Sequence, residues 1–183
     1  DEAYPGVQHT RWLVMTARYL LVIDKLRSDA EHRFDWLYHN RGEKVVCEAV
    51  RDDVTLAGEL PGGEYIRGAR RGVTDAVIRA QFGDAGVTTH LTMAAAPDTT
   101  VTTGDGVGGS VNDRVPMIMI ARAGREAWFA AALEPVPAGG HPQITGAGFT
   151  PAAEGPTITV ASGSATDQVI LRRDGNVSVA LRR

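Results

Sequence analysis

Residues Gln8–Met15 read Gln-His-Thr-Arg-Trp-Leu-Val-Met, and after Thr16-Ala17 the chain continues over Arg18–Leu26 as Arg-Tyr-Leu-Leu-Val-Ile-Asp-Lys-Leu. Both segments are rich in branched aliphatic and aromatic residues, which are enriched in β-strands. The two residues between them match the length of the commonest hairpin connections. This part of the sequence therefore predicts an antiparallel hairpin, and it makes an all-β fold the interpretation to test along the rest of the chain.

Strand-like composition recurs on the C-terminal side of this hairpin. Glu31–Asn40 is predicted as a third strand, after a turn at Ser28-Asp29-Ala30. Asp75–Phe82 could form a short helix, but its Val and Ile residues favour a strand at least as strongly. The remaining predicted strands are Lys44–Ala49, Glu64–Arg67, Ala76–Phe82, Val87–Met93, Met117–Ala121, Ala127–Leu133, Thr157–Ala161, Gln168–Arg172 and Val177–Leu181.

The connections between these strands have the composition of turns and loops. Asp174-Gly175 lies between two alternating segments and predicts a tight hairpin. Gly104–Asp113 is expected to be a flexible loop, and Pro135–Pro156 a long irregular crossing. Many short strands joined in this way predict an all-β, antiparallel β-sandwich or barrel. We expect one domain over residues 1–183, because the tail from Thr157 is too short to form its own core.

Composition excludes several classes of protein. The chain has 183 residues, is 43% hydrophobic and carries a net charge of −3. A core of ordinary size is expected, and the absence of a basic excess argues against nucleic acid as a partner. The longest apolar runs, Tyr19–Ile23 and Ala127–Leu133, are far shorter than the ~20 residues of a transmembrane helix. Cys47 is the single cysteine, so neither a disulfide framework nor a cysteine-based zinc site is expected.

Arginine strongly outnumbers lysine, which occurs only at Lys25 and Lys44. The planar guanidinium binds carboxylates and sulfates with two parallel hydrogen bonds, so the preference would suit an acidic polymer. Genome composition explains the same bias, because Ala and Gly are also abundant. The chain begins with Asp1 rather than Met, and we expect a processed form or an excised piece.

The predicted third strand contains the most informative side chains. Alternation places Phe34, Trp36 and Tyr38 on one of its faces. Rings in such a row can stack on the C–H faces of sugars, and Trp12 or Trp128 could extend such a platform. The alternative is a packed core with Tyr and Trp polar atoms bonded at its edge, which is the more usual role of an aromatic row on a strand. The sequence leaves both interpretations open.

Histidines in this strand do not favour a metal site. His32 and His39 are seven residues apart and point to opposite faces. Asp35 and His39 share a face, but they stand about 13 Å apart at ~3.3 Å per residue, whereas zinc ligands must lie about 2 Å from one point. His9 is isolated in sequence. We therefore expect no metal and no cofactor to be bound by this chain.

The first forty residues resemble a known family. The similarity rests on Tyr4-Pro5-Gly6-Val7, Arg11, Tyr19-Leu20-Leu21-Val22-Ile23-Asp24, His32, Phe34-Asp35-Trp36 and Tyr38-His39-Asn40, and more loosely on Val115-Pro116-Met117 and Arg125–Pro135. These segments are similar to the C-terminal β-sheet domain of the heparinase II/III-like polysaccharide lyases, which cleave uronic-acid polymers. The resemblance implies an antiparallel, supersandwich-like β-sandwich. It also implies β-elimination, in which a base removes the proton α to the carboxyl group and an acid protonates the leaving oxygen.

The resemblance also implies what lies outside the chain. In this family a helical domain supplies tyrosine and asparagine or histidine catalysts, and this N-terminal domain and the metal-ligand segment would precede Asp1. No catalytic residue is therefore assigned here. The expected substrate-binding residues, bordering a groove for an acidic polysaccharide, are Arg11, Trp36, Tyr38, His39 and Asn40. For Arg11 a surface ion pair is the stronger alternative.

Three functions are compatible with these observations. The first is the C-terminal β-domain of a secreted or periplasmic lyase, inactive without its partner domain. The second is a stand-alone carbohydrate-binding module with tryptophan and tyrosine platforms. The third is a purely structural sandwich that stabilises a larger chain. Loss of glycan binding in Trp36→Ala with folding intact would favour the second over the third.

Overall fold

A computed structural model describes residues 2–84, 86–172 and 176–181 of the chain. Within this part the regular structure is antiparallel β-strand, apart from a 3₁₀ turn at Gly63–Tyr65, so the all-β prediction is confirmed. None of the described residues forms a helix of the length and apolarity needed to cross a bilayer. The strands are β1 (Glu2–Tyr4), β2 (Val7–Met15), β3 (Leu20–His39), β4 (Lys44–Cys47), β5 (Asp52–Asp53), β6 (Arg67–Thr74), β7 (Ile78–Gly83), β8 (Val87–Met93), β9 (Thr99–Val107), β10 (Arg114–Pro137), β11 (Ile144–Thr150), β12 (Thr157–Ser162), β13 (Ala165–Leu171) and β14 (Val177–Ala180).

Two long strands, β3 and β10, form the centre of the molecule and pair with each other along their length. Each was predicted as two separate strands. Their register breaks where Gly124 opposes His32 and Glu126 opposes Arg27, so 28–31 form an extra segment on β3. The predicted turn at Ser28-Asp29-Ala30, which would end one strand and begin another, is therefore wrong. The segment is instead a bulge, which bends both strands sharply because one strand carries residues that have no partner.

The bend folds one ten-stranded sheet into two layers. The first layer contains β1, β2, the N-terminal half of β3, the C-terminal half of β10, β8, β7 and β4, and the second contains the other halves with β9, β6 and β5. Asp24 and Trp36 lie on the same strand and would be ~40 Å apart if it were straight. Their side chains are hydrogen-bonded at 2.9 Å. The prediction of a β-sandwich is confirmed, with the two layers produced by one folded sheet.

A second sheet, of order β11-β12-β13-β14, packs on the outer face of the first layer. Leu21 and Ile23 face this sheet, whereas Val22 between them faces the sandwich interior. The side chains of the paired strand β10 alternate in the same way. Ala130 and Ala132 face the second sheet, and the residues between and beside them face the sandwich interior. The two longest apolar runs of the sequence are thus opposite each other in the middle layer, where strands are buried on both faces.

Two buried carboxylates attach the second sheet to the first. Asp167 on β13 accepts hydrogen bonds from the Tyr19 hydroxyl at 2.8 Å and from Arg18 at 3.0 Å. Burial, together with this carboxylate, raises the pKa of Tyr19. Glu134 on β10 accepts the backbone N–H groups of Gln143 and Ile144 at 2.8 and 3.1 Å. Each carboxylate satisfies donors that would otherwise be buried unpaired at the junction of the sheets.

Five strands were not predicted, among them the short strands β1 and β5. β6, β9 and β11 were missed, since they are rich in Arg, Thr and Gly rather than in large apolar residues. β9 occupies the first part of the expected loop Gly104–Asp113, and β11 lies inside the expected crossing Pro135–Pro156. At Gly148 of β11 a Cβ atom would come within 2.5 Å of Thr159 Oγ1. Close approach between strands therefore accounts for glycine where an apolar residue would have signalled a strand.

Other local predictions are confirmed. The β2–β3 hairpin is closed by the Thr16 N–H, which donates to the Tyr19 carbonyl at 3.0 Å. β8 has the predicted bounds Val87–Met93, and Asp75–Phe82 contributes to a strand rather than a helix. Glu64–Arg67, predicted as a strand, overlaps the 3₁₀ turn instead. The predicted turn at Asp174-Gly175 lies outside the described residues.

Candidate functional site

The five expected substrate-binding residues fall into two groups. Arg11 and Trp36 meet at the buried carboxylate of Asp24. Asn40 is bonded to Tyr38 at the far end of β3, and His39 points to the opposite face of that strand. The two groups are joined by the rings of Trp36 and Tyr38, whose centroids are 6.0 Å apart with an interplanar angle of 16°.

The first group, which we call the Asp24 cluster, consists of His9, Arg11, Asp24 and Trp36. Asp24 has no solvent exposure. Its Oδ1 atom contacts His9 Nε2 at 2.5 Å and accepts from Arg11 Nε at 2.7 Å. Its Oδ2 atom accepts from Arg11 Nη2 at 3.1 Å and from Trp36 Nε1 at 2.9 Å. The carboxylate is thus bound by two residues of β2, His9 and Arg11, and by Trp36 from the C-terminal half of its own strand.

Strand register explains why these side chains converge. Arg11 lies directly opposite Asp24 in the β2–β3 ladder, and His9 is two residues earlier on the same face. Trp36 lies in the second layer and reaches Asp24 because the bulge folds the C-terminal half of β3 over the N-terminal half. His9 was regarded as isolated, and the alternation of β2 was the available signal that it shares a face with Arg11.

The Asp24 cluster is saturated as a hydrogen-bonding unit. A carboxylate has about four lone-pair directions, and four contacts occupy them here. The guanidinium of Arg11 forms the two-pronged pair that is the strongest geometry for this interaction. The alternative stated for Arg11 was an ion pair at the surface. Arg11 does form an ion pair, but its partner Asp24 is buried. Binding of an acidic sugar by Arg11 stays a prediction, and it would use the half of the side chain that remains exposed.

The aromatic row lies mainly in the core. Trp36 is 5% exposed and belongs to the cluster of apolar residues between the two layers. Tyr38 contacts Phe82 edge to face, with centroids 5.1 Å apart. This is the arrangement of the packing alternative, and Trp36 presents no open ring face on which a sugar could stack. Burial also raises the pKa of Tyr38, so its hydroxyl is neutral at neutral pH.

His39 and Asn40 border an open polar pocket of about 330 Å³, completed by Arg41 and the Val107–Gly109 segment. Asn40 Nδ2 donates to the Tyr38 hydroxyl at 3.1 Å, and Arg41 lies 3.4 Å from Asp113. Desolvation lowers the pKa of His39, which therefore carries a neutral imidazole at neutral pH. This pocket offers hydrogen-bond donors and one guanidinium at the surface. Its role in substrate binding stays a prediction.

Metal ligands do not cluster in the part of the chain that the structure describes. No group of three or more His, Cys, Asp or Glu side chains there has the geometry to hold an ion. His9 and Asp24 are in contact, but Arg11 and Trp36 occupy the remaining positions around the carboxylate.

A folded antiparallel sheet with a second sheet on its outer face defines this chain as a β-supersandwich domain. A family model described as "Heparinase II/III-like, C-terminal" matches residues 1–131, and the chain therefore belongs to that family. The resemblance in the first forty residues is confirmed. The second sheet, from β11 onward, lies beyond the matched residues.

A solved structure and a search of curated proteins complete the comparison. The crystal structure of heparan sulfate lyase HepC from Pedobacter heparinus is similar to the whole chain, with a TM-score of 0.54 and 13% sequence identity. The chain spans 25% of the length of that lyase. At this identity the likeness concerns the fold. No curated protein matches the chain.

Proposed function

We propose that this chain is the C-terminal β-sandwich domain of a polysaccharide lyase that cleaves uronic-acid polymers by β-elimination. The observation that carries the proposal is the family match over residues 1–131, together with a fold shared with one quarter of a heparan sulfate lyase. We propose that residues 1–183 form a single β-sandwich domain and that a helical N-terminal domain completes the enzyme.

The elimination needs three groups around one sugar. A base must take the proton α to the carboxyl group, an acid must protonate the leaving oxygen, and a positive or hydrogen-bonding group must neutralise the carboxylate. In the described part of this chain the candidates are dispersed. Tyr38 is partly buried and bound to Asn40, while His39 points to the other face of the strand. This dispersal supports the proposal that the chain by itself has no lyase activity.

We propose that the substrate groove of the complete enzyme passes the His39–Asn40–Arg41 end of β3. Arg41 is well exposed, and its ion pair with Asp113 is long at 3.4 Å. An exposed pair of this kind is worth little and is easily exchanged for a sugar carboxylate or sulfate. A polysaccharide substrate is encountered outside the cytoplasm. A secreted or periplasmic location therefore belongs to the same proposal.

Product formation by the longer protein that contains this chain tests the proposed function. The protein is incubated with a panel of uronic-acid polysaccharides and, as matched controls, neutral polysaccharides of similar length. The unsaturated uronate formed by β-elimination is followed by its ultraviolet absorbance. We expect product from at least one uronic-acid polymer and none from the neutral ones. Failure on every uronic-acid polymer, with the protein folded, would contradict the proposed function.

A further inference from the structure

A groove opens where the second sheet stops covering the first layer, next to the bend of β3 and β10. We call it the inter-sheet groove and define it by Trp12, Lys25, Glu126, Trp128 and Phe149. Two adjoining cavities of about 560 and 460 Å³ form it and share the last three of these residues as walls. The volume of each cavity falls within the range of small-molecule sites, ~300–1,000 Å³.

Aromatic rings wall this groove without being buried in the core. The rings of Trp12 and Trp128 lie 6.0 Å apart and nearly parallel, at 10°. Phe149 continues the wall at 5.2 Å from Trp128. All three side chains are partly exposed, whereas the fully covered part of the same interface is packed with alanine at 130 and 132. The three rings therefore form a partly exposed apolar wall at the open end, the kind of surface on which the C–H face of a sugar packs.

Charged groups frame the aromatic wall. Lys25 Nζ lies 5.0 Å from the centre of the Trp128 ring and 3.3 Å from a Glu126 carboxylate oxygen. Trp128 Nε1 donates to the other oxygen of Glu126 at 2.8 Å. The negative charge of Glu126 is therefore already compensated by protein groups. Arg172 is exposed at the opposite rim.

Arg122 supplies a second, independent observation. It is 8% exposed, lines the larger cavity and donates to neutral acceptors, namely Thr99 Oγ1 at 3.2 Å, the Ala94 carbonyl at 2.7 Å and the Trp128 carbonyl. No described carboxylate forms an ion pair with it. Desolvation lowers its pKa to about 10, so it remains a cation at neutral pH. The guanidinium also lies 4.9 Å from the centre of the Phe129 ring, a cation–π contact that offsets part of its desolvation cost. A wall of the cavity thus holds a buried cation that has no carboxylate partner among the described residues.

We propose that the inter-sheet groove binds one or two residues of an acidic glycan, with a sugar face against the tryptophan wall and a carboxylate or sulfate toward Lys25, Arg122 and Arg172. The three cations exceed the two carboxylates that line the cavities, Glu126 and Asp98. The acidic ligand class rests on the proposed function, whereas the stacking surface and the unpaired cation do not. The groove lies away from the His39 pocket, and Phe149 and Arg172 come from the sheet beyond the family match.

Binding of oligosaccharides of defined length tests this site. Isothermal titration of the chain compares heparin-derived oligosaccharides with neutral glucan oligosaccharides of equal length. We expect the acidic series to bind, and Trp128→Ala to weaken it by about tenfold. Lys25→Met and Arg172→Met replace side chains that are partly or fully exposed, so both variants should keep the fold. Each should weaken the binding of acidic oligosaccharides and leave the binding of neutral ones unchanged. Tyr65→Ala, which removes an exposed ring elsewhere, is the matched control and should bind like the wild type.

Two outcomes separate this inference from the proposed function. If the longer protein cleaves a uronic-acid polymer while Trp128→Ala, Lys25→Met and Arg172→Met all bind like the wild type, the groove assignment is overturned and the proposed function stands. If no uronic-acid polymer is cleaved but acidic oligosaccharides bind through Trp128, the proposed function fails and the groove assignment is supported. Equal binding of neutral and acidic oligosaccharides would overturn the acidic ligand class.

Discussion

The Asp24 cluster and the inter-sheet groove lie on opposite faces of the same strand pair, and they use charge in opposite ways. In the cluster a buried carboxylate is met by a guanidinium, an imidazole and an indole, and every lone pair is occupied. In the groove the buried guanidinium of Arg122 is met by neutral oxygens. In the first arrangement the charge has a cationic partner, whereas no described carboxylate forms an ion pair with Arg122 in the second.

This difference separates structural from ligand-binding polar groups. Asp24 connects two halves of one folded strand, so its contacts stabilise the bend that creates the sandwich. Arg122 carries a desolvation cost that its neutral partners only partly offset. We expect substitutions in the Asp24 cluster to affect folding most, and substitutions in the groove to affect binding most.

The largest expected effect is that of Asp24→Ala. Removing one partner of a buried ion pair typically costs about 3–5 kcal/mol, because the remaining donors are left without an acceptor. Urea unfolding followed by tryptophan fluorescence measures the loss. Asp53→Ala is the matched control, since Asp53 forms an ion pair with Arg70 but its side chain is 93% exposed, and the expected change is below ~1 kcal/mol. Equal losses for the two variants would remove the distinction drawn for the cluster.

Asp167→Asn should have the next largest effect. The carboxylate joins β13 to Tyr19 and Arg18 of the β2–β3 hairpin, and a hydrogen bond to a buried charged group contributes about 1.5–3 kcal/mol. Amide hydrogen exchange should accelerate in β11–β13, whereas the β3–β10 ladder should be unchanged. Uniform acceleration in both sheets would show that they unfold as one unit and that Asp167 does not act at the junction alone.

Arg122→Met should cost less stability than Asp24→Ala, about 1 kcal/mol, because the lost hydrogen bonds are partly offset by the removed desolvation cost. The sharper measurement is stabilisation by ligand. A saturating acidic oligosaccharide at about 100 times its Kd should stabilise the wild type by ~2.7 kcal/mol. The variant should gain much less. An equal gain in both proteins would place the anion away from Arg122.

The smallest expected effect is a pH dependence. Desolvation lowers the pKa of His39 and of His90 below the ordinary value of 6.5. The unfolded chain therefore binds protons near and below pH 6.5 that the folded chain does not, so stability is present above this pH and is lost as the pH falls. His39→Gln should flatten the dependence measured by urea midpoints between pH 7.5 and 5. A steeper dependence in His39→Gln would contradict the stated direction.

Local chemistry was sufficient to predict the hairpin at Thr16 and the strand Val87–Met93. The two longest apolar runs, Tyr19–Ile23 and Ala127–Leu133, lie in the central strand pair, although their length had served only to exclude a transmembrane helix. The bend at 28–31 was mistaken for a turn, because a bulge is defined by the register of the partner strand and not by its own residues. Sequence alternation cannot show that a strand stays paired across such a bend.

The candidate sites were less accessible to sequence reasoning. Asp24 and Trp36 meet only because β3 folds back, so no spacing rule for a straight strand could bring them together. Trp12 and Trp128 were considered as platforms, but their groove also needs Phe149 on β11. That strand lies in a segment rich in glycine and proline, where a sheet was not expected. The groove is therefore a product of tertiary packing between two sheets.

The most direct test of the account is elimination activity in the purified 183-residue chain, measured on the uronic-acid polymer that the longer protein cleaves. Circular dichroism first establishes that the chain is folded and rich in β-structure. We predict no unsaturated uronate product across neutral and mildly alkaline pH, because the described residues do not assemble a base, an acid and a carboxylate-binding group around one sugar. Sustained product formation by the chain alone, abolished by His39→Ala or His9→Ala, would contradict this account.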